Sequence, residues 1–419
     1  AKNGKGSVIF AWQHQGNFLA TAGENRRVQL WDRRGQLKYQ FPLENSGLPI
    51  ILEWDHEGDV LAVLQQGAST VTLWSLHTQK SEELDLRTKE ISFIAWGKTG
   101  PHLAIGTAKG ALVIYNRKTR STIPVKGKHT KKIISGCWNK NGLLALGGED
   151  KLITISDING DSIDQKSTKH EPQQLVFNTA KQVGSNANVL PETTLSANSG
   201  QLLWLYDHAK KEDKRPLELA FQAKYGRIKS YQWFGDGYIM LGFSLGYVVI
   251  VSTHLEEIGN EVNACQLHED QLSDVTYNDS IRMGASIGNN MVKVFNMDMS
   301  HLGNFDETQA DRFELEDEYS SLDHVKWTED GQILTVSSRT GSIYTFLTSI
   351  PVLHDSHGSN VLYLTSLSEL CIKDIVSDHI VARFEINIEP SFVSLGPRFA
   401  AVGLNNSVSF YKFYKGGGK

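Results

Sequence analysis

The sequence predicts an all-β chain that folds as a β-propeller of seven to nine blades, and three observations support this prediction. A tryptophan recurs every 42 residues in the first part of the chain, at Trp12, Trp54, Trp96 and Trp138. Between these tryptophans lie short alternating runs, such as NFLATAG and HLAIGTA, which read as strands joined by tight turns. The repeats also lack helical periodicity, and a period of about 40–45 residues built from strands is typical of propeller blades.

Trp233 and Trp327 continue the series at double spacing. They follow the preceding member of the series, Trp138 and Trp233 respectively, by 95 and 94 residues, so each interval predicts one unit in which another residue replaces the tryptophan. Phe177 in LVFNTA and Tyr277 in VTYNDS occupy the expected positions. We therefore expect eight repeat units.

A second anchor follows the first by 18 to 20 residues in most units. The pairs are Trp12 with Trp31, Trp54 with Trp74, Trp96 with Tyr115, Trp138 with Ser156, Trp233 with Val251, Tyr277 with Phe295 and Trp327 with Phe346. The fifth unit stretches to 27 residues, from Phe177 to Trp204. The first unit contains the signature dipeptide Trp31-Asp32, so the predicted propeller is WD40-like. Because one blade cannot cover both of its faces, we expect the blades to stack around a ring.

The first-anchor tryptophans are predicted to pack as core between neighbouring blades. These are Trp12, Trp54, Trp96, Trp138, Trp233 and Trp327. A ligand-stacking role for one of them is the less favoured alternative. The Gly-His pair and buried Asp that lock a consensus WD blade are mostly missing, and His129 with Asp150 comes closest. The repeats therefore indicate a divergent propeller.

The repeat pattern divides the chain at about residue 350. Residues 1–350 are predicted to form the propeller of about eight units. Trp327 and Phe392 are 65 residues apart, which is too long for one blade and too short for two. Residues 351–415 therefore either close or enlarge the ring or begin a second propeller. Residues 416–419, GGGK, read as a tail added for expression, and we expect the native chain to extend beyond both ends.

Composition excludes several classes of protein. The net charge is −5, from 47 acidic and 42 basic residues, which argues against affinity for nucleic acid. The three cysteines are far apart, so we expect no disulfide framework and a reducing compartment. The sequence contains no run of 18 apolar residues that would span a membrane, and the amino terminus lacks the apolar core of a signal peptide.

Motifs for chemistry are also missing, so we assign no catalytic, cofactor-binding or metal-binding residues. The GKT at Gly97 has Ser92 where a phosphate-binding loop needs glycine. Four Asp-His dipeptides are scattered along the chain and are not expected to converge on a metal: Asp55-His56, Asp207-His208, Asp323-His324 and Asp378-His379. An enzyme is therefore the disfavoured class.

Three charged segments are candidate surface features. The KGKHTKK loop is the candidate partner-binding site, with Lys126, Lys128, His129, Lys131 and Lys132. It would suit an acidic partner, a ubiquitin-like surface or an anionic lipid headgroup, although a solvated turn is the simpler interpretation. Residues 209–216 read as a loose insertion. Residues 305–319 carry seven acids and one arginine and read as a flexible loop or a docking patch for a basic partner.

Several segments together resemble one protein family. They are GKHTKKIISGCWNKNGLLALGGEDKLITISD, YQWFGDGYIMLGFSLGYVVIVSTHLEEIG, WTEDGQILTVSSRTGSIYTFLTSIPVL and YLTSLSEL. In these segments the chain resembles the amino-terminal propeller region of the WD-repeat protein nineteen family, a WD-repeat subunit of intraflagellar transport complex A. The similarity runs from about Val8 to Tyr411 and departs in the fifth unit and in the acidic segment after Asn304.

The resemblance implies a non-catalytic scaffold that supports retrograde transport in the cilium and import of membrane cargo. It implies the other complex A subunits as partners, together with tubby-like adaptors and membrane cargo, and contact with the membrane that is peripheral at most. It implies a location in the cilium or flagellum, the basal body and the cytoplasm. The alternative is a vesicle-coat or tethering propeller that binds anionic lipid, ubiquitin or a sorting signal.

Overall fold

A computed structural model describes residues 3–179, 188–210, 215–298, 302–304, 306–315, 321–348, 352–387, 389–404 and 407–414. These residues form 38 β-strands and three single turns of 3₁₀ helix, at Ala223–Tyr225, Leu302–Asn304 and Glu307–Gln309. The prediction of an all-β propeller is confirmed. The chain divides into two compact units, one of residues 1–33 and 37–345 and the other of residues 34–36 and 346–419.

Eight antiparallel sheets make up the first unit, and each is built from consecutive strands. Blade 1 contains β1 (Ile9–Trp12), β2 (Phe18–Ala22), β3 (Arg27–Asp32) and β4 (Leu37–Pro42). Blade 2 contains β5 (Pro49–Trp54), β6 (Val60–Gln65), β7 (Thr70–Ser75) and β8 (Lys80–Asp85). Blade 3 contains β9 (Ile91–Trp96), β10 (His102–Thr107), β11 (Leu112–Asn116) and β12 (Ser121–Val125). Blade 4 contains β13 (Ile133–Trp138), β14 (Leu144–Gly148), β15 (Leu152–Ser156) and β16 (Ser162–Ser167).

The second half of this unit repeats the arrangement. Blade 5 contains β17 (Gln174–Phe177), β18 (Thr194–Ser199), β19 (Leu202–Asp207) and β20 (Leu217–Ala220). Blade 6 contains β21 (Ile228–Phe234), β22 (Tyr238–Phe243), β23 (Tyr247–Ser252) and β24 (Glu261–Gln266). Blade 7 contains β25 (Asp274–Asn278), β26 (Met283–Gly288), β27 (Met291–Asn296) and β28 (Asp311–Glu314). Blade 8 contains β29 (Leu322–Trp327), β30 (Ile333–Ser338) and β31 (Ile343–Leu347).

Strand register explains the spacing between the two anchors of a unit. In blade 1, Trp12 lies opposite Leu19 of the second strand, and Leu19 lies opposite Trp31 of the third. The two aromatic residues therefore flank one leucine across three strands. In blade 5, Phe177 lies opposite Leu195, which lies opposite Tyr206. The second anchor of the fifth unit is thus Tyr206, and the assignment to Trp204 was wrong because the inserted residues concealed the register.

The first-anchor residues lie at the ends of the first strands. Trp54, Trp96, Trp138, Trp233 and Trp327 are buried, as are Phe177 and Tyr277, whereas Trp12 is half-buried. Two indole N–H groups donate to carbonyls of the preceding blade, from Trp54 to Ala11 at 3.2 Å and from Trp138 to Ala95 at 2.9 Å. Apolar clusters fill the spaces between successive blades from blade 1 to blade 7. The anchors of blades 2 to 7 therefore belong to interfaces between blades.

In blades 1, 2, 4 and 8 the anchor is followed by a turn whose glycine has a positive φ. In blade 1 the Gly16 N–H donates to the Gln13 carbonyl at 2.8 Å, and the Gln13 N–H donates to Phe18 at 2.9 Å. The corresponding glycines are Gly16, Gly58, Gly142 and Gly331, with φ of 70°, 73°, 79° and 71°. Other residues adopt this conformation at a steric cost, which accounts for the Gly that closes most of the anchor motifs.

Polar contacts between blades 1 and 8 close the ring. The Trp12 indole donates to the Thr335 hydroxyl at 2.9 Å. The Arg33 guanidinium donates to the Asp330 carboxylate at 2.7 Å and to the Gln332 side chain at 2.6 Å. Each described sheet consists of consecutive strands, so the two ends share no described strand. They are joined by these side-chain contacts and by a backbone hydrogen bond from the Asn3 N–H to the Gly341 carbonyl at 3.2 Å.

The second unit contains two sheets. One consists of β32 (His354–His357), β33 (Asn360–Ser366), β34 (Glu369–Asp374) and β35 (His379–Glu385), and the other of β36 (Phe392–Leu395), β37 (Phe399–Leu404) and β38 (Ser407–Lys412). Both contribute to one apolar cluster that includes Leu362, Leu370 and Val402. The Asp355 carboxylate links them, because it accepts the Leu395 N–H at 2.7 Å and the Ser394 hydroxyl at 2.9 Å.

A basic face as the candidate interaction site

The first strands of neighbouring blades contact one another, so they lie toward the centre of the ring. Because the strands of a blade are antiparallel and consecutive, the turn between its second and third strands lies at the same end as the connections between blades. Hydrogen bonds join these segments: Glu149 N–H to Lys132 O at 2.9 Å, and Ile228 N–H to Gly200 O at 2.9 Å. We call this end of the first unit the connection face.

The connection face is strongly basic from the end of blade 2 to the start of blade 6. We call this part the basic sector, formed by residues 86–90, 108–111, 126–132, 149–151, 168–173, 200–202 and 220–227. Its exposed cations are Arg87, Lys89, Lys109, Lys126, Lys131, Lys132, Lys151, Lys169, Lys224 and Arg227. Its acids are Glu90, Glu149, Asp150 and Glu171, so the eleven lysines and arginines of these ranges, with the buried Lys128 included, against four acids give a net charge of +7. The chain as a whole carries −5.

Most of these cations are not neutralised by neighbouring carboxylates. Lys169 pairs with Glu218 on β20, whereas the other nine exposed cations form no ion pair within the described part of the chain. Cations at the opposite end of the blades are more often paired. There, the Arg117 guanidinium lies 2.6 Å from the Asp55 carboxylate and also binds Glu57. The positive potential is therefore concentrated in the basic sector of the connection face.

The predicted partner loop lies in this sector, but two of its five residues require a correction. Lys126, Lys131 and Lys132 are exposed, whereas Lys128 and His129 are buried. The Lys128 ammonium donates to the Ser162 hydroxyl at 2.6 Å, and burial lowers the pKa of Lys128. A polar partner inside the protein satisfies this side chain, so it is not part of the exposed surface.

His129 has a structural role in blade 4. Its Nδ1 lies 2.9 Å from the Asp150 carboxylate, and its Nε2 lies 3.2 Å from the Thr154 hydroxyl. Asp150 also accepts the Thr130 N–H at 2.8 Å. Burial alone would raise the pKa of Asp150, but the hydrogen bonds from His129 and Thr130 outweigh it and lower that pKa. This network fixes the backbone that presents Lys131 and Lys151.

A groove of about 580 Å³ runs through the basic sector where blades 4, 5 and 6 meet. Its lining includes the cationic or titratable side chains of Lys151, His170 and Arg227, and Glu171 is the one acid among its lining residues. Apolar side chains also line it, from Leu202, Ala220 and Phe221. Phe221 is fixed by an edge-on contact with Phe243, at 5.1 Å between ring centroids. The groove thus combines positive charge with an apolar lining.

Polar side chains at the ring centre serve mainly to bind neighbouring strands. Glu53 accepts the Trp96 N–H at 3.1 Å, and its burial raises its pKa to about 7. Asp274 accepts the Val325 N–H at 3.1 Å and lies 3.7 Å from the His324 ring. The four Asp-His dipeptides lie on separate sheets or at their ends, and no three His, Cys, Asp or Glu of the described residues could hold a metal together.

Two predicted surface segments and the carboxyl-terminal tail fall partly or wholly outside the described residues. These undescribed parts are residues 211–214 of the mixed-charge insertion, residues 305 and 316–319 of the acidic segment, and residues 416–419. Among the described residues, no helix has the length and apolar character needed to cross a membrane.

Comparison with known proteins identifies the family. A family model described as the WDR19 first beta-propeller matches residues 8–341, and one described as the WDR19 second beta-propeller matches residues 361–419. Mouse WD repeat-containing protein 19 is 40% identical over 410 residues, which cover 96% of this chain and 30% of the mouse protein. The Caenorhabditis elegans WD repeat-containing protein dyf-2 is 31% identical over 99% of this chain and 29% of its own length.

Solved structures support the fold. The crystal structure of Chaetomium thermophilum Sqt1, bound to the N-terminus of the ribosomal protein L10, has a TM-score of 0.64 at 12% identity and covers 83% of this chain and 98% of its own. The computationally designed protein Ika8 gives the same TM-score at 14% identity, with the same coverage of both chains. The present chain spans about 30% of the length of its curated relatives. It belongs to the WD repeat-containing protein 19 family, as its sequence motifs suggested.

Proposed function

We propose that this chain is the propeller region of a WD repeat-containing protein 19-type subunit of intraflagellar transport complex A. In this role it acts as a non-catalytic scaffold for retrograde ciliary transport and for import of membrane cargo into the cilium. The observation that carries the proposal is 40% identity to the mouse relative over 96% of the chain, spanning the matches to both propellers. The other complex A subunits are its expected partners, with tubby-like adaptors and membrane cargo as further candidates.

The arrangement of side chains supports a binding role. The ring-centre carboxylates are engaged by neighbouring backbone groups, as Glu53 and Asp274 are. The exposed cations of the basic sector are mostly without ion-pair partners among the described residues and are therefore available to another molecule. Rigid propellers commonly present such loops as binding surfaces. We place the protein in the cilium or flagellum, the basal body and the cytoplasm.

A binding experiment tests this function against the vesicle-coat or tethering alternative. The purified chain is passed over immobilised complex A subunits, and in parallel it is mixed with vesicles that contain anionic lipid and with immobilised ubiquitin. Retention by at least one complex A subunit, with no retention on vesicles or ubiquitin, is the expected result. Retention on vesicles or ubiquitin alone would overturn the complex A assignment and favour the alternative.

A further inference from the structure

We propose that the basic sector binds an acidic protein segment that carries an apolar side chain among its acids. The proposal adds to the scaffold function by stating the chemistry of one binding partner. It rests on the proposed function only in that the chain is taken to bind partners without catalysis. The net charge of +7 in this sector contrasts with −5 for the whole chain. Folding therefore concentrates positive charge at one end of the blades, where an acidic segment would be attracted and oriented.

The backbone beneath the cations is held in place before any partner binds. Hydrogen bonds fix both sides of Arg227, since its N–H donates to the Ser244 hydroxyl at 2.9 Å and its carbonyl accepts the Ser244 N–H at 2.8 Å. Lys151 follows Asp150 in the network that includes His129 and donates its own N–H to Gly148 at 3.0 Å. A rigid site loses less conformational entropy on binding than a loose loop.

The groove adds shape to the charge. Lys151, His170 and Arg227 stand around it, and Leu202, Ala220 and Phe221 supply apolar surface within it. Its volume of about 580 Å³ is in the range of sites that hold small ligands or a few side chains. A segment with acids on both sides of an apolar residue can place that residue against Leu202 and Phe221 and its carboxylates near the exposed cations.

The observations favour a polypeptide over a membrane surface. Peripheral membrane sites usually combine basic residues with exposed aromatic or aliphatic side chains that enter the headgroup region. Within the sector's ranges Leu202 and Phe221 are half-buried, and beside the sector the exposed Leu245 lies next to Gly226. A single exposed leucine is less apolar surface than such membrane sites use. The sector's own apolar surface is recessed in a groove, which an extended chain can enter more readily than a flat bilayer.

The test measures fluorescence anisotropy of a labelled short peptide in which aspartates and glutamates flank a Leu-Phe pair. We expect saturable binding to the purified chain that weakens as salt is raised, because the contacts are exposed charge pairs. The double variant Lys151→Glu/Arg227→Glu reverses two cations at the groove, and we expect it to raise Kd about tenfold. A second pair, Lys131→Glu/Lys132→Glu, tests the outer part of the sector in the same way.

The matched control is Lys80→Glu/Lys140→Glu, which makes the same change of charge at two exposed lysines away from the connection face. It should leave Kd unchanged, and circular dichroism should show that all variants are folded. Equal weakening by the control would show non-specific attraction and overturn the proposal. No binding of the peptide, or binding of anionic vesicles with the same sensitivity to the groove variant, would also overturn it. Retention on complex A subunits is scored separately, so each proposal can fail alone.

Discussion

Arg33, at the seam between blades 1 and 8, allows a direct test of how the ring closes. Its side chain is 7% exposed, and the guanidinium donates to Asp330, Gln332 and the Gly16 carbonyl at 2.7, 2.6 and 3.1 Å. Arg33→Met keeps much of the apolar length of the side chain but removes the charge and all of these donors. The substitution therefore isolates the polar part of the seam.

The expected loss follows from these contacts. Removing one partner of a fully buried ion pair costs about 3–5 kcal/mol, and a hydrogen bond to a charged group contributes about 1.5–3 kcal/mol. The Asp330 side chain is 40% exposed and keeps bonds from the Thr328 hydroxyl and the Gln332 N–H, at 2.6 and 3.0 Å. Water and these donors compensate part of the loss, so we expect Arg33→Met to lower the apparent free energy of unfolding by about 2–3 kcal/mol.

Urea denaturation followed by tryptophan fluorescence measures this loss. Arg27→Met is the matched control, since Arg27 lies at the start of β3, the strand that precedes Arg33, is exposed and has no ion pair among the described residues. A double-mutant cycle with Asp330→Ala should give a coupling of about 1 kcal/mol or more. A loss within about 0.5 kcal/mol of the Arg27 control, together with no coupling to Asp330, would refute the view that this contact closes the ring.

Two further predictions concern buried residues. Trp138→Ala should lower the free energy of unfolding by about 3–5 kcal/mol and Trp12→Ala by less, because Trp12 is half-buried; equal losses in thermal denaturation would contradict this. Burial lowers the pKa of His268 from 6.5 to about 4, so the unfolded chain takes up a proton at this ring at a higher pH than the folded chain does. The stability that the neutral ring contributes is therefore fully present above pH 6.5 and is lost as the pH falls toward 4. Between about pH 7 and pH 5 the free energy of unfolding of His268→Gln should therefore fall by about 2 kcal/mol less than that of the unsubstituted chain. An unchanged pH dependence in denaturant titrations would disprove this.

Much of the fold could be predicted from the sequence because its signal is local and repeated. Trp12, Leu19 and Trp31 occupy one row across three strands, so a constant turn length converts their spatial register into a constant sequence spacing. The prediction of the second anchor failed in blade 5, where residues 178–193 separate the first two strands and Tyr206 takes the position assigned to Trp204. Insertions leave the pairing intact but erase the spacing that reveals it.

The candidate site was harder to predict because charge alone does not indicate exposure. Lys128 and His129 lie in a run of polar residues, yet both side chains enter the fold and bind Ser162, Asp150 and Thr154. A histidine 21 residues before an aspartate in a WD-type unit is the sequence signal of such a structural pair. That signal was visible, and it argued against counting His129 as part of a binding surface.

The basic sector as a whole was missed because its members are far apart in sequence. Lys89 and Arg227 are separated by 138 residues, and no window along the chain contains both. They come to the same end of the blades because each unit has an even number of antiparallel strands, which returns the chain to one face before every new blade. The anchors alone show which end of the blades each turn occupies. Grouping the charged residues by the position of their turn within the unit would therefore have shown the difference in charge between the two ends without coordinates. In a propeller, function is therefore better sought by summing charge over equivalent turns than by searching for local motifs.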